Sequence, residues 1–229
     1  MLYFDPLYLI FILPSLFISL MASILLRIWT NEYLSKPNTT NLTGYDAVHK
    51  IATEYGFNIS LAQSHEKLSD HYDPSNGNLT LSQEVAHRPT VGSIAIAAHE
   101  MGHVMQHQKG SMFMSIRRIL VPITNIGTNI GYIFIVLGII LAFANLAWLG
   151  IILFSLSTLF SLLTLPIEID ASKKALEFIN KQGLLSKFEI GGAKKVLIAA
   201  SLTYVAGTIS SLSNLIYFIF RVQGIGGKK

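Results

Sequence analysis

Residues 119–167, ILVPITNIGTNIGYIFIVLGIILAFANLAWLGIILFSLSTLFSLLTLPI, contain no charged side chain, and their reading decides the fold. A membrane-spanning helix needs about 20 consecutive, mainly apolar residues, so this stretch is long enough for two. Asn145 and the following Ala147-Trp148 predict a tight turn between Phe143 and Leu149, with Trp148 at a membrane interface. Residues 6–26 and 196–220 are likewise free of charge and supply one span each. Four spans follow.

Composition agrees. In a chain of 229 residues, 51% are hydrophobic and only 13% charged, too few charges to solvate a water-soluble surface of that size. The same apolar content excludes a disordered chain. With no cysteine, disulfide scaffolds, iron–sulfur clusters, Cys-ligated zinc and thiol nucleophiles are excluded as well. The net charge of +4 comes from Lys and Arg scattered beside the apolar segments, which reads as a topology signal and not as a nucleic-acid-binding patch.

These boundaries divide the chain into a first span at 1–28, a polar insert at 29–117, a hairpin of two spans at 118–167, a helical segment at 168–195, a last span at 196–220 and a tail at 221–229. Residues 1–28 lack a basic leader and are too long in their apolar part for a signal peptide, so they read as a retained anchor. Because 118–167 is a hairpin, the two polar segments share one face of the bilayer. That face carries Arg27, Lys36, Lys109, Arg117, Arg118 and the lysines of 168–195, whereas the other has Arg221, Lys228 and Lys229. The positive-inside rule places the polar segments in the cytoplasm and both termini outside. Four glycosylation sequons, at Asn38, Asn41, Asn58 and Asn78, point the other way, and the charge bias decides.

Within the insert, Thr43 and Asp46 predict the start of a helix over 44–55 that stops at Gly56. Alternation around Phe57, Ile59 and Leu61, and again at Leu79 and Leu81, predicts two short strands on either side of the turn Asp73-Pro74-Ser75-Asn76-Gly77. Arg88-Pro89-Thr90 then opens a helix over about 90–108, which Lys109-Gly110 closes.

That helix contains His99-Glu100-Met101-Gly102-His103. Residues four apart share a helix face, so His99 and His103 can offer imidazole nitrogens to one zinc ion, while Glu100 on the flank can take a proton from the attacking water. His107 lies too far along the axis to share a tetrahedral ion with His99 and reads as a helix-terminal polar residue. The third ligand must come from a second helix, and Glu168 and Asp170, at the boundary of the third span, are the candidates. Glu168 is taken as the ligand and Asp170 as a residue that orients an imidazole. Tyr204, in the last span, His71 and Tyr72 can each donate a hydrogen bond to an oxyanion, and Tyr204 is the choice among them. Asn78, Leu79, Thr80 and Leu81 are expected to present a strand edge to an extended substrate. Gly127, Gly131, Ala206, Gly207, Ser210 and Ser211 are expected to let the spans approach closely.

Ala97-Ala98-His99-Glu100-Met101-Gly102-His103, Leu68-Ser69-Asp70-His71-Tyr72-Asp73-Pro74, Leu165-Pro166-Ile167-Glu168-Ile169-Asp170-Ala171-Ser172, Ala200-Ser201-Leu202-Thr203-Tyr204-Val205-Ala206 and the opening Tyr3-Phe4-Asp5-Pro6 together resemble the YugP-type neutral zinc metallopeptidases of bacterial membranes. The resemblance implies a membrane-embedded zinc endopeptidase of the bacterial plasma membrane, with His99, His103 and Glu100 in the family's signature positions and Glu168 as the family's later Glu. The wider HtpX-like membrane peptidases place an Asp four residues after that Glu, where this chain has Ser172. The expectation is therefore an α-helical polytopic membrane protein with a small α+β, zincin-like insert, one Zn2+ ion, and polypeptide substrates in or near the bilayer. The competing expectation is a catalytically silent scaffold stabilised by its metal. A metal transporter is disfavoured, because the charge-free spans carry no midplane carboxylate or His.

Overall fold

The structure is a computed structural model and describes residues 6–226. Tyr3, Phe4, Asp5, Lys228 and Lys229 lie outside the described residues. In chain order the elements are α1 (Pro6–Ser35), α2 (Gly44–Tyr55), β1 (Ser60–Ser64), β2 (His71–Asp73), β3 (Asn78–Ser82), α3 (Gln83–His87), α4 (Val91–Gln108), α5 (Met112–Ile140), α6 (Ala144–Lys181) and α7 (Ile190–Gly226). Four of the helices, α1, α5, α6 and α7, are long and apolar enough to cross a membrane. The chain is a helical polytopic membrane protein with a small α+β insert.

Contacts divide it into two compact units. The spanning unit comprises the chain up to Ala22, Ile116–Leu165 and Thr203 onward. Its side chains are apolar on the outside, with Ile10, Phe17, Ile126 and Ile133 all exposed, because lipid rather than water is the solvent there. Small residues and hydroxyls mediate the inner contacts. A Cβ at Gly150 would meet the Gly131 carbonyl at 2.6 Å, so α5 and α6 touch through their backbones. Thr158 and Ser211 hydroxyls pair at 2.8 Å, and Ser19 and Ser210 at 3.0 Å, tying α7 to α6 and α1. Gly207, expected to be a contact of the same kind, is not one, since a Cβ there would meet nothing within 4 Å. The hairpin turn also falls earlier than the sequence suggested. α5 ends at Ile140, Ala142 takes a left-handed φ of 51°, and Asn145 and Trp148 already belong to the first turns of α6. Pro166 lies inside α6 without ending it, so the hairpin's second span and the segment bearing Glu168 are one continuous helix.

The second unit, Ser23–Ser115 and Pro166–Leu202, has its own core, in which Val48, Ile51, Leu79, Leu81, Ile94, Met101 and Phe178 are fully buried. α2 begins with a complete capping box. Asp46 N–H donates to the Thr43 hydroxyl, and the Asp46 carboxylate accepts from the Thr43 N–H at 2.8 Å. Gly56 then closes the helix in the left-handed conformation. Asp73 organises the following turn by accepting from the Ser75 N–H at 2.9 Å, and Gly77, with φ of 74°, completes it.

The sheet order is β1-β3-β2, with β3 parallel to β1 and antiparallel to β2. This corrects the expectation for Asn78, Leu79, Thr80 and Leu81. They form the central strand, Leu79 and Leu81 point into the core, and the N–H of Ser82, one residue past them, is taken by Asp70. The free edges belong to β1 and β2. Residues 71–73, of which Asp73 was read as the start of a turn, form a strand that makes a hairpin with β3.

α4 runs through the middle of this unit, and most of its residues from Val91 to Gln106 are buried. Thr90 caps it, accepting from the Ser93 N–H at 3.1 Å, and the chain leaves through Gly110 at φ 68°. Two glycines let other backbones reach it. A Cβ on Gly92 would meet the Leu34 nitrogen at 2.7 Å, and one on Gly102 would meet the Ala171 carbonyl at 2.6 Å, so α1 and α6 pack directly against α4.

The entry to α7 is held by one carboxylate. Glu189 accepts from the Thr39 N–H at 2.7 Å, the Thr39 hydroxyl at 3.0 Å, the Ser186 N–H at 2.8 Å and the Ser186 hydroxyl at 2.7 Å. Burial works to raise its pKa, but the four donors outweigh burial and hold it below the ordinary Glu range. A carboxylate depressed in the folded state stabilises fully above its unfolded pKa and loses that contribution as pH falls through the folded value. Glu189→Gln should therefore cost about 1–2 kcal/mol at pH 7. The gap to wild type should close in strong acid, as read from denaturant unfolding in detergent micelles at both pH values.

Candidate metal centre

His99 and His103 stand one turn apart on α4, and Glu168 reaches them from α6 across the Gly102–Ala171 contact. The Glu168 Oε2 is 3.3 Å from His99 Nε2 and 3.4 Å from His103 Nε2, and one ligand atom from each of the three residues lies within 4.8 Å of the others. Donors about 2.1 Å from a tetrahedral ion stand about 3.4 Å from one another, so the two measured separations are those a zinc ion requires. The donor set, two imidazole nitrogens and one carboxylate oxygen, is also suited to zinc. Side-chain exposure is 12% for His99, 8% for His103 and 2% for Glu168, which leaves this anion shielded from water beside the two imidazoles. A dry carboxylate in that position calls for a cation. The residues present therefore fit the metal, and among the described residues they form the sole cluster of this kind.

The imidazoles are held from behind by different chemistry. His99 Nδ1 lies 3.3 Å from the Ser172 hydroxyl, which lies 3.3 Å from the Ser201 hydroxyl, and that hydroxyl donates to the Leu197 carbonyl at 2.9 Å. Ser172 thus occupies the place where the HtpX-like pattern has an acid and makes the contact to the His99 imidazole as a neutral group. His103 Nδ1 faces the Gln106 amide oxygen at 3.0 Å, and the Gln106 amide nitrogen donates to the Asp170 carboxylate at 2.7 Å. Asp170 is ion-paired with Lys174 and stands one residue removed from the imidazole it was expected to touch.

Glu100 lies on the flank of α4, 7% exposed. Burial pushes its carboxyl up to about 7, with the charges of Glu168 and Asp70 adding to the rise and His99 and the Tyr72 N–H opposing it. Asp70 accepts from the Ser82 N–H at 2.7 Å and the Ser82 hydroxyl at 3.0 Å, and burial lifts its pKa above the ordinary Asp value despite those bonds. The Tyr72 hydroxyl meets His107 Nδ1 at 2.8 Å, which gives His107 a partner and ties β2 to the end of α4. His71 donates from Nδ1 to the Ser69 carbonyl at 2.7 Å within its own loop. Tyr204 belongs to the spanning unit and is 36% exposed. Gln106, Ser172 and Asp70 were not picked out as functional in the sequence. Gln106 could have been, since it follows His103 by three residues on the same helix face.

Two comparisons with known proteins bear on this arrangement. Residues 8–223 match the model of the family described as "Putative neutral zinc metallopeptidase". Over 189 residues, 82% of this chain and 84% of the relative, the sequence is 34% identical to a Bacillus subtilis (strain 168) protein named "Putative membrane protease YugP". No solved structure matches the chain. The match to the family covers nearly the full length of the chain and includes both helices that carry the site, so the chain belongs to the neutral zinc metallopeptidase family.

Proposed function

We propose that this protein is a zinc-dependent endopeptidase that cleaves polypeptides in or next to the bilayer, with His99, His103 and Glu168 as the metal ligands and Glu100 as the general base. The observation that carries this reading is the buried trio of ligand atoms, with Glu100 on the flank of the same helix. When bound, zinc supplies the Lewis acidity that makes water a nucleophile near neutral pH and polarises the scissile carbonyl. Glu100 takes the proton of the attacking water and returns it to the departing amine, a shuttle suited to a carboxyl lifted toward neutrality by burial. The hydroxyl assigned to steadying the oxyanion is Tyr204.

With β3 in the middle of the sheet, β2 takes over as the edge that pairs an extended substrate. Its Tyr72 N–H lies beside Glu100, and the Tyr72–His107 bond fixes the strand against α4. A substrate added there would run past the base. Glu100→Gln keeps the size of the side chain but not the base, and should lower kcat/KM on a peptide reporter by about 100-fold or more while one zinc per chain is retained. Equal activity in Glu100→Gln, or no zinc in the wild type, overturns the reading, and a zinc-loaded wild type that cleaves no reporter, with the cellular phenotype intact in Glu100→Gln, would favour the scaffold. Tyr204→Phe in the same assay should lower kcat and leave the melting temperature in place, whereas a packing role would move the melting temperature alone.

The catalytic unit is assigned to the cytoplasm. The basic bias of the polar segments supports this. So does the state of two sequons, since the Asn38 amide is buried and donates to the Leu42 carbonyl at 2.8 Å, and Asn78 lies in the central strand. The absence of native cysteine makes the topology directly measurable. Lys67→Cys, at an exposed position, should react with a membrane-impermeant maleimide only after the cells are opened, and labelling of intact cells would reverse the assignment.

A further inference from the structure

Gln106 is buried, sits one helical turn past His103, and bonds at both ends of its amide. Its amide nitrogen donates to the Ile167 carbonyl at 2.8 Å and to the Asp170 carboxylate at 2.7 Å. Both of these partners can only accept, so the nitrogen must face them and the amide cannot be turned over. The amide oxygen is thereby committed to His103 Nδ1, 3.0 Å away. An oxygen cannot donate, so that ring nitrogen must carry the hydrogen. Nε2 is then left with a free lone pair, on the side of the ring that faces Glu168 at 3.4 Å. The proton on His103 is therefore dictated by an acid two groups away, with the glutamine transmitting its polarity. On the other imidazole the Ser201 hydroxyl spends its hydrogen on the Leu197 carbonyl, so the Ser172 hydroxyl donates to Ser201 and accepts from His99 Nδ1, and that ring is held by neutral hydroxyls with no charged group behind them.

We propose that Gln106 is the positioning residue that sets the tautomer and ring orientation of His103, relaying the charge of Asp170 to the metal centre, whereas His99 is backed by neutral hydroxyls alone. This rests on the proposed assignment of His99, His103 and Glu168 as ligands. Asp170 reaches the centre only through this amide, and the Lys174 ammonium holds the carboxylate in place at the far end. The Ile167 carbonyl anchors the amide to α6, so the relay also registers α4 and α6 at the level of the ligands.

The test uses the full chain in detergent micelles. Zinc affinity is measured by competition with a chromogenic chelator, apo-protein melting gives a control for folding, and the 15N shifts of labelled histidine report the tautomer of the apo protein. Wild type should show His103 protonated at Nδ1. Gln106→Leu, of similar volume, should lose that single-tautomer signature and weaken zinc binding by about 10–100-fold. Ser172→Ala should weaken it by less. Gln106→Glu keeps an acceptor for His103 but turns a second oxygen toward the Asp170 carboxylate, so it should bind zinc more weakly than wild type, and Asp170→Asn in the same chain, whose amide can donate, should recover part of the loss.

Three results would overturn the proposal: unchanged zinc affinity in Gln106→Leu, affinity loss that is matched by an equal loss of apo stability in both Gln106 variants, or a wild-type His103 protonated at Nε2. A wild type that binds no zinc would instead refute the ligand assignment, leaving the tautomer measurement to judge Gln106 by itself.

Discussion

The Glu168 carboxylate, 1% exposed, can remain between two imidazoles only because α4 and α6 meet at backbone distance where Gly102 faces Ala171. A methyl group at residue 102 would overlap the Ala171 carbonyl, and the helices would have to part by more than a metal–ligand bond can stretch. The middle of the His-Glu-x-x-His motif therefore has a steric duty as well as its chemical ones. The two x positions divide the work, since Met101 fills the core while Gly102 leaves the space. The site depends on this contact, because the approach of Glu168 to the imidazoles, the Gln106 bond to Ile167 and the Ser172 bond to His99 all cross it.

Charge around that contact is arranged so that each group has an answer. Glu168 faces imidazoles, Asp170 is matched by Lys174, and Asp70 is satisfied by the N–H and hydroxyl of Ser82. Glu100 is buried as well, 7% exposed, and burial raises its carboxyl. Burial that would be a defect elsewhere is what a proton-transferring carboxyl needs. The neighbouring helix ends are tied down by similar means, with Glu189 joining two loops through four hydrogen bonds and the Thr43–Asp46 box starting α2.

The sequence made some of this legible, and the difference has physical causes. Long charge-free runs can only be spans, and a capping box with a terminal glycine marks a helix by local chemistry, so the spans, α2 and α4 stood close to where they were expected. The His99–His103 pair was legible because helical spacing is a local rule. That Glu168 would join the pair could be read as well, since few boundary acids were available to do so. What failed depended on pairing across the chain. A three-residue strand such as β2 has too few residues to show alternation, so β3 was taken for an edge when it lies between two neighbours. The α5–α6 turn moved by a few residues because an apolar run carries no sharp stop, and Ala142 adopted the left-handed turn that Asn145 was expected to mark. Gln106 was invisible because its meaning arises only when Ile167 and Asp170 arrive from another helix.

The burial of α4 carries a consequence for how the sequence can drift. A helix against membrane lipid, such as the first half of α1, exchanges one apolar side chain for another at little cost, because lipid closes around either shape. α4 has no such side, with core, backbone or ligand neighbours at nearly every turn from Val91 to Gln106. Interiors packed this densely pass a change of volume on to their neighbours, and here the neighbours include both imidazoles. Substitutions in α4 must therefore be compensated within α1, α6 or the sheet before they are tolerated, so this helix and its contacts should evolve as a block while the lipid-facing surface changes freely.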